Sequence, residues 1–217
     1  MSRSVYSVVL DDDVVAAVDM AAMRAGTNRS VMMNRLLAAQ LHFDTPEERI
    51  RTVFEAMERL AASQATALQV MSSEAQSQLS MRSVLRYKYN PTVRYAVELF
   101  AHSADYLGVL RCQLRTRNPA LTHALEQFYR LWAALEQEAL HTAPALYEVS
   151  GVRFSRVLRL PQAACSEEQI AARLTRYVSL LDSCMKLYCE HLEEPELAAA
   201  RVAQYWRKHL PEDAACF

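Results

Sequence analysis

The sequence predicts a mainly α-helical protein that begins with one strand and two helices and continues into a long helix and an α-helical bundle. Three observations predict this class. Apolar residues recur at three- and four-residue spacing through most of the chain. Capping side chains precede proline at Thr45-Pro46 and Asn118-Pro119, which is typical of helix starts. Only residues 5–10 and the segment between Pro144 and Pro161 depart clearly from the helical period.

Residues 1–43 are expected to form a small unit of their own. Val5-Tyr6-Ser7-Val8-Val9-Leu10 is predicted as a strand, and Asp11-Asp12-Asp13 is an acidic start for a first helix. The segment from Gly26 to Ser30 breaks the chain and caps a second helix that runs through Leu41. Because so small a unit buries little apolar surface and a lone strand needs a partner, the sequence predicts a two-fold dimer with an antiparallel ribbon.

This order of elements resembles the ribbon-helix-helix DNA-binding proteins of the MetJ/Arc/CopG type. The resemblance covers residues 1–43 of 217. It implies a homodimer that lays its ribbon in the major groove of double-stranded DNA, with the start of the second helix against phosphate. Since alternate side chains of the strand would point outward, the DNA-binding residues that the resemblance implies are Arg3, Val5, Ser7, Val9, Asn28, Arg29 and Ser30.

The charge of this unit leaves a second interpretation open. Its four arginines are balanced by four aspartates, so residues 1–43 are formally neutral, whereas phosphate binding favours a basic surface. Val5 and Val9 are apolar, and only Ser7 of the outward strand residues offers a hydrogen bond to a base edge. The alternative is therefore an assembly or adaptor protein that does not bind DNA and uses this unit only for dimerisation.

Residues 44–89 are expected to form a long helical linker or arm. Thr45-Pro46-Glu47-Glu48 is a strong helix start, and apolar residues follow in phase from Ile50 to Ala61. The pattern then thins through a stretch rich in serine, glutamine and alanine between Ser63 and Ser80. A continuous helix would be ~60 Å long, so the helix either pairs with its dimer mate or breaks in this stretch.

Residues 90–217 are expected to form the α-helical bundle. Helix starts are predicted at Asn90-Pro91, Asn118-Pro119, Ser166-Glu167 and Pro195. Short joints between the first two of these helices indicate antiparallel neighbours. The segment from Pro144 to Pro161 interrupts the helical period and is expected to be a short hairpin or an ordered loop.

Composition limits the class of protein. The formal net charge is −1, so any attraction to nucleic acid must come from a local patch. No apolar run approaches the ~20 residues of a membrane span, and the start lacks the apolar core of a secretion signal. The five scattered cysteines fit reduced thiols better than a disulfide framework. We therefore expect a cytoplasmic protein with no membrane contact.

Enzymatic function is not predicted, and neither is a cofactor or a metal. Glycine occurs only 3 times, so there is no glycine-rich phosphate loop or dinucleotide fingerprint. Glu138 and His141 have the spacing of half a di-iron site, but the chain lacks the second half. Cys184 and His191 would share a helix face from which Cys189 is turned away, so a thiol in the core is the better interpretation.

A basic stretch between residues 82 and 117 suggests a secondary nucleic-acid patch. Its core is Arg82, Arg86, Lys88 and Arg94, with Tyr87 and Tyr89 interleaved. Such a mixture suits phosphate contact and base stacking, although tyrosines packed under basic side chains would give the same pattern. A second run, Arg153, Arg156 and Arg159, would extend this surface if it lay beside it.

The function that the sequence predicts is a homodimeric DNA-binding protein, in which the C-terminal helices oligomerise, sense a ligand or bind a partner protein. The resemblance implies three biological settings: a transcriptional regulator, an accessory factor of plasmid or conjugative transfer, and an antitoxin. Antitoxins usually carry a shorter C-terminal tail than this chain has. The dimer, or a higher even-numbered oligomer, is common to all three.

Overall fold

A computed structural model describes residues 5–41, 43–63, 68–71, 77–161 and 164–210. The chain divides into two compact units, residues 1–49 and residues 50–217. Each unit is described by itself below. None of the helices in the described ranges is long and apolar enough to cross a membrane.

The N-terminal unit contains the two predicted helices, Asp12–Arg24 (α1) and Arg29–Gln40 (α2). Acidic residues occupy the first turn of α1, and the Asn28 side chain caps α2, in keeping with the prediction. The predicted strand, however, is absent, because residues 5–10 have no secondary structure. The prediction of an N-terminal ribbon is therefore wrong for the single chain. A strand forms only where a neighbouring strand supplies hydrogen bonds, and the single chain offers none here.

The expectation of a long helix over residues 44–89 is also wrong. Its start is as predicted, since Thr45 Oγ1 accepts a hydrogen bond from the Glu48 amide and the helix begins at the next residue. This helix, Pro46–Ser63 (α3), ends where the serine- and glutamine-rich stretch begins. Two strands follow within residues 68–89, Gln69–Met71 (β1) and Gln78–Val84 (β2). In the described part of the stretch the chain forms strands, not a continued helix, and polar residues such as Gln78 and Ser80 take alternate positions.

The helix predicted from Asn90-Pro91 is replaced by two strands. These are Thr92–Leu99 (β3) and Tyr106–Leu114 (β4). The residues Val93, Tyr95, Val97 and Leu99 are all buried and lie on one face of β3. Side chains that alternate between core and solvent define a half-buried strand, so the helical interpretation of this segment fails.

From Asn118 onward, the helices begin where the sequence predicts. Asn118 caps the helix Pro119–Leu140 (α4), and Ser166 forms a reciprocal capping box at Glu167–Glu190 (α5). Pro195 opens the final helix, Pro195–His209 (α6). Between α4 and α5, a short 3₁₀ turn at Pro144–Leu146 leads into a hairpin of Tyr147–Ser150 (β5) and Arg153–Arg159 (β6). The hairpin alternative for this segment is thus confirmed.

The six strands of the described residues form one antiparallel sheet in the order β1-β2-β3-β4-β6-β5. The protein is therefore an α+β protein, not a mainly α one with a helical bundle. One sheet face packs with α3, α4, α5 and α6 in a single hydrophobic core, in which Trp132, Trp206 and Phe128 are fully buried. On the opposite sheet face, here called the open face, the side chains at positions 82, 94, 113 and 153 are exposed, whereas Ser80 and Val109 are buried.

Candidate nucleic-acid interface

The residues of the predicted N-terminal strand are exposed and have no secondary structure. Val5 and Val9 are each 99% exposed, and Ser7 between them is exposed as well. Arg3 lies outside the described residues. Val5, Ser7 and Val9 are therefore accessible, but no pairing with another described strand fixes their orientation for reading bases.

Two of the predicted phosphate-binding side chains at the start of α2, Asn28 and Arg29, are engaged in hydrogen bonds within the N-terminal unit. Asn28 Oδ1 accepts a hydrogen bond from the Val31 amide at 3.0 Å, so the Asn28 side chain serves the helix. Arg29 donates two hydrogen bonds to Asp19, with Nε 2.7 Å from Oδ1 and Nη2 2.5 Å from Oδ2. These bonds lower the pKa of the Asp19 carboxyl. Ser30 is exposed. Any phosphate bound by Arg29 would therefore have to compete with Asp19 for the guanidinium.

The N-terminal unit exposes more apolar surface than it buries. Its own core cluster consists of Val18, Ala22 and Met32. Among the described residues, 12 of the 18 exposed large hydrophobic side chains fall within residues 5–43. The most exposed of these on and after the two helices are Met23 at 78% and Leu41 at 73%. Exposed apolar surface on this scale is typical of a protein–protein interface.

The open face of the sheet carries a row of polar side chains that crosses every strand. Strand pairing joins Gln69 to Arg82, Arg82 to Arg94, Arg94 to Gln113, Gln113 to Arg153, and Arg153 to Ser150. We call these six residues, three of which are arginines, the arginine row. All six side chains are exposed, and none is acidic. With strands ~4.8 Å apart, the row is ~24 Å long. The structure therefore brings two members of the predicted basic patch, Arg82 and Arg94, directly opposite each other.

The other two members of the predicted patch lie in the connection between the same strands. Arg86 and Lys88 are exposed within residues 85–91, which join β2 to β3. Tyr89 in this connection is 98% exposed and has φ of 66°, and Asn90 follows with φ of 44°. Two consecutive non-glycine residues in the left-handed region carry a conformational cost. This conformational cost and the exposed ring of Tyr89 together make the connection a candidate binding site.

The second arginine run divides between the two sheet faces. Arg153 belongs to the arginine row, and Arg159 is exposed at the other end of β6, opposite Tyr106. Arg156 lies on the core face and is fully buried, where its Nε is 2.7 Å from Glu136 Oε2. Its guanidinium carbon also lies 4.8 Å from the centre of the Tyr177 ring. Arg156 therefore serves the core and takes no part in the open face.

Next to the arginine row, the open face holds an open depression of about 260 Å³. Arg111, Gln113, Glu148 and Arg153 are among the residues that line it. Arg111 is paired with Glu98 at 2.5 Å, and Glu148 accepts a hydrogen bond from Ser155 at 3.4 Å. The two carboxylates of this part of the face are thus engaged by their own neighbours, whereas no ion pair within the described residues involves Arg82, Arg94 or Arg153.

Sequence reasoning missed Gln69 and Gln113 as members of this face because it treated residues 44–117 largely as helix. It missed Ser150 because it predicted no sheet that the hairpin between Pro144 and Pro161 could join. The alternation of Thr92-Val93-Arg94-Tyr95-Ala96-Val97-Glu98-Leu99 was the signal that could have found the strand pairing. Once β3 is recognised, its alternate positions 92, 94, 96 and 98, of which all but Ala96 are polar, must share one face.

The buried ionisable groups belong to the core. Tyr147 donates a hydrogen bond to Glu136 Oε2 at 2.7 Å, and burial raises the pKa of Tyr147 to about 12. Burial likewise raises the pKa of the thiols of Cys112, Cys184 and Cys189 to about 12, so these thiols are poor nucleophiles and metal ligands. Within the described ranges, no three His, Cys, Asp or Glu side chains are grouped so as to hold a metal ion.

Comparison with known proteins gives no assignment, since no protein-family model, no curated protein and no solved structure matches this chain.

Proposed function

We propose that this chain is a homodimeric DNA-binding protein that acts as a transcriptional regulator or as an accessory factor of plasmid transfer. The observation that carries the proposal is the exposed apolar surface of residues 5–43. Among the described residues of this unit, the buried cluster of Val18, Ala22 and Met32 is too small for an independent core. A second copy would cover the remaining apolar side chains and stabilise both units.

The apolar side chains have enough area for a dimer. Their exposed fractions, from 38% for Leu10 to 99% for Val5, correspond to an area on the order of 1,000 Å², against ~800 Å² that each partner buries in a standard interface. Self-association through this surface would bring together two copies of residues 5–10 and of the start of α2.

DNA as the partner is supported by the resemblance of the sequence of residues 1–43 to ribbon-helix-helix proteins and by the composition of its first segment. Arg3 supplies a charge for phosphate, and Ser7 supplies a hydrogen bond for a base edge. The backbone amides at Arg29 and Ser30 begin a helix, where an anion is favoured. A dimer presents each of these groups twice, as a two-fold symmetric DNA site requires.

The proposal is tested by fluorescence anisotropy with duplex DNA from the region upstream of the protein's own gene, at several salt concentrations. We expect submicromolar binding that weakens steeply with salt, and at least a tenfold loss for the double variant Arg3→Ala, Ser7→Ala. Arg207→Ala, which removes an exposed charge from α6, is the matched control and should bind as the wild type does. Binding that is absent, or equally affected by the control, would overturn the DNA assignment.

A second function is favoured by one observation, the bidentate ion pair of Arg29 with Asp19. With Arg29 neutralised, the N-terminal unit would serve only to join two copies, and the protein would be an assembly or adaptor protein. This alternative predicts a dimer that fails to bind any duplex in the anisotropy experiment.

A further inference from the structure

The arginine row of the open face places like charges on neighbouring strands, which lowers the stability of the sheet. Like charges directly opposite each other on neighbouring strands are destabilising, yet Arg82 is paired with Arg94. Arg82 Nε donates a hydrogen bond to Gln69 Oε1 at 3.0 Å, which orients its guanidinium along the row. A sheet face that only had to be soluble would pair its arginines with acidic residues, as Arg111 is paired with Glu98 elsewhere on the same face.

The chemistry of the row matches a chain of phosphates. Guanidinium groups bind phosphate oxygens with two parallel hydrogen bonds, and Gln69, Gln113 and Ser150 add neutral donors between and beside them. Because the polar side chains recur on successive strands over ~24 Å, a ligand with several regularly spaced anionic groups can contact the whole row, whereas a single phosphate would contact only one or two members.

The connection between β2 and β3 supplies a second kind of contact. Tyr89 is 98% exposed in a left-handed conformation, and it is flanked by Lys88 and close in sequence to Arg86. This connection joins the two strands that carry Arg82 and Arg94. An exposed aromatic ring beside cationic groups is the arrangement on which an unpaired base stacks.

We propose that the open face binds single-stranded nucleic acid, with Arg82, Arg94 and Arg153 on successive phosphates and Tyr89 stacked on a base. The site shares no residue with the proposed duplex contact and does not depend on that contact. Unpaired strands are favoured over duplex because the bases of a duplex are already stacked and offer no free face to Tyr89.

The test uses the full-length protein and a fluorescently labelled 20-nucleotide oligothymidine, titrated at several salt concentrations. The triple variant Arg82→Gln, Arg94→Gln, Arg153→Gln should lose at least tenfold in affinity. Its plot of log affinity against log salt should become shallower by about 2, since each lost contact with single-stranded phosphate removes ~0.7 from the slope.

The matched control removes three exposed arginines from helices, Arg130→Gln, Arg201→Gln, Arg207→Gln, and changes the net charge equally. It should bind within threefold of the wild type. An equal loss in both triple variants would show attraction to net charge only, and failure of the wild type to bind would also overturn the proposal. A circular dichroism spectrum identical to that of the wild type establishes that the open-face variant is folded.

Two further measurements decide the ligand. Tyr89→Ala should lower the affinity at least fivefold with an unchanged salt slope, because stacking releases no counterions; unchanged affinity would refute the stacking contact. If polyglutamate or a 20-base-pair duplex displaces the labelled strand more efficiently than unlabelled oligothymidine does, the open face recognises acidic polypeptide or duplex, and the assignment to single strands is wrong. Loss of Arg3 and Ser7 should leave this binding unchanged, so the two proposals fail independently.

Discussion

The buried ion pair between Glu136 and Arg156 offers a sharp test of the α+β core. Both side chains are fully inaccessible, and Arg156 Nε lies 2.7 Å from Glu136 Oε2. Substitution Glu136→Gln keeps the shape of the side chain but leaves the guanidinium without its counter-charge. Breaking a buried pair in this way costs about 3–5 kcal/mol, which is a large share of the ~5–15 kcal/mol that holds a typical domain together.

The assay is urea unfolding followed by tryptophan fluorescence. Trp132 Nε1 donates a hydrogen bond to Tyr177, whose ring lies against Arg156, so the probe sits beside the perturbation. With a denaturant slope of ~2 kcal/mol per molar urea, the midpoint should fall by about 1.5–2.5 M. The double variant Glu136→Leu, Arg156→Met should recover most of the loss, because apolar residues of similar volume replace a buried pair well.

A surface pair on the open face provides the control. Arg111 and Glu98 are 2.5 Å apart, with 52% and 32% of their side chains exposed. Glu98→Gln should therefore cost less than ~1 kcal/mol. If Glu136→Gln costs no more than Glu98→Gln, Glu136 is not buried against Arg156, and the packing of β5 and β6 on α4 is wrong.

Two other predictions follow from the core and the sheet. Burial raises the pKa of three thiols, those of Cys112, Cys184 and Cys189, from 9.0 to about 12, so the folded state keeps protons that the unfolded chain loses. The free energy of unfolding should be unaffected by these groups below about pH 9 and should fall by up to roughly 4 kcal/mol per pH unit between pH 9 and 12. Urea titrations with reductant at pH 8, 9 and 10 check this prediction. A free energy of unfolding that does not change over this pH range would contradict the burial of the thiols. Gly108→Ala would place a Cβ 2.0 Å from the carbonyl oxygen of Glu98 and should cost about 3 kcal/mol or more. Gly26→Ala, at φ of +60° with open space around it, should cost only about 1–2 kcal/mol; equal losses in thermal unfolding would refute the close pairing of β3 with β4.

Local signals predicted the starts of the helices that form, because such signals act within a few residues. The Asn118 cap, the Ser166 capping box and the proline at position 195 each fix a helix start by chemistry that the sequence displays directly. The breaks at Gly26 and between Pro144 and Pro161 are equally local.

The sheet escaped prediction because its decisive residues fit two periods at once. Val93 and Val97 are four residues apart, which suits a helix face and also suits alternate positions of a strand. Tyr95 and Leu99 distinguish the two, since both are buried in β3 but Tyr95 would lie on the far side of a helix from Val93 and Val97. Pairing partners such as Gln69 and Arg82 are brought together by the whole sheet, so no local pattern could have assembled the arginine row.

The central claim, that the apolar surface of the N-terminal unit joins two copies, is tested most directly by sedimentation equilibrium of the full-length protein. A chain of 24.6 kDa should sediment at twice that mass at micromolar concentration. The double variant Leu37→Asp, Leu41→Asp charges two side chains that are 57% and 73% exposed, so it should keep its helical content yet sediment as a monomer. Leu197→Asp, at an exposed position on α6, should remain a dimer. A wild-type protein that is monomeric throughout, or a double variant that stays dimeric, would contradict the claim.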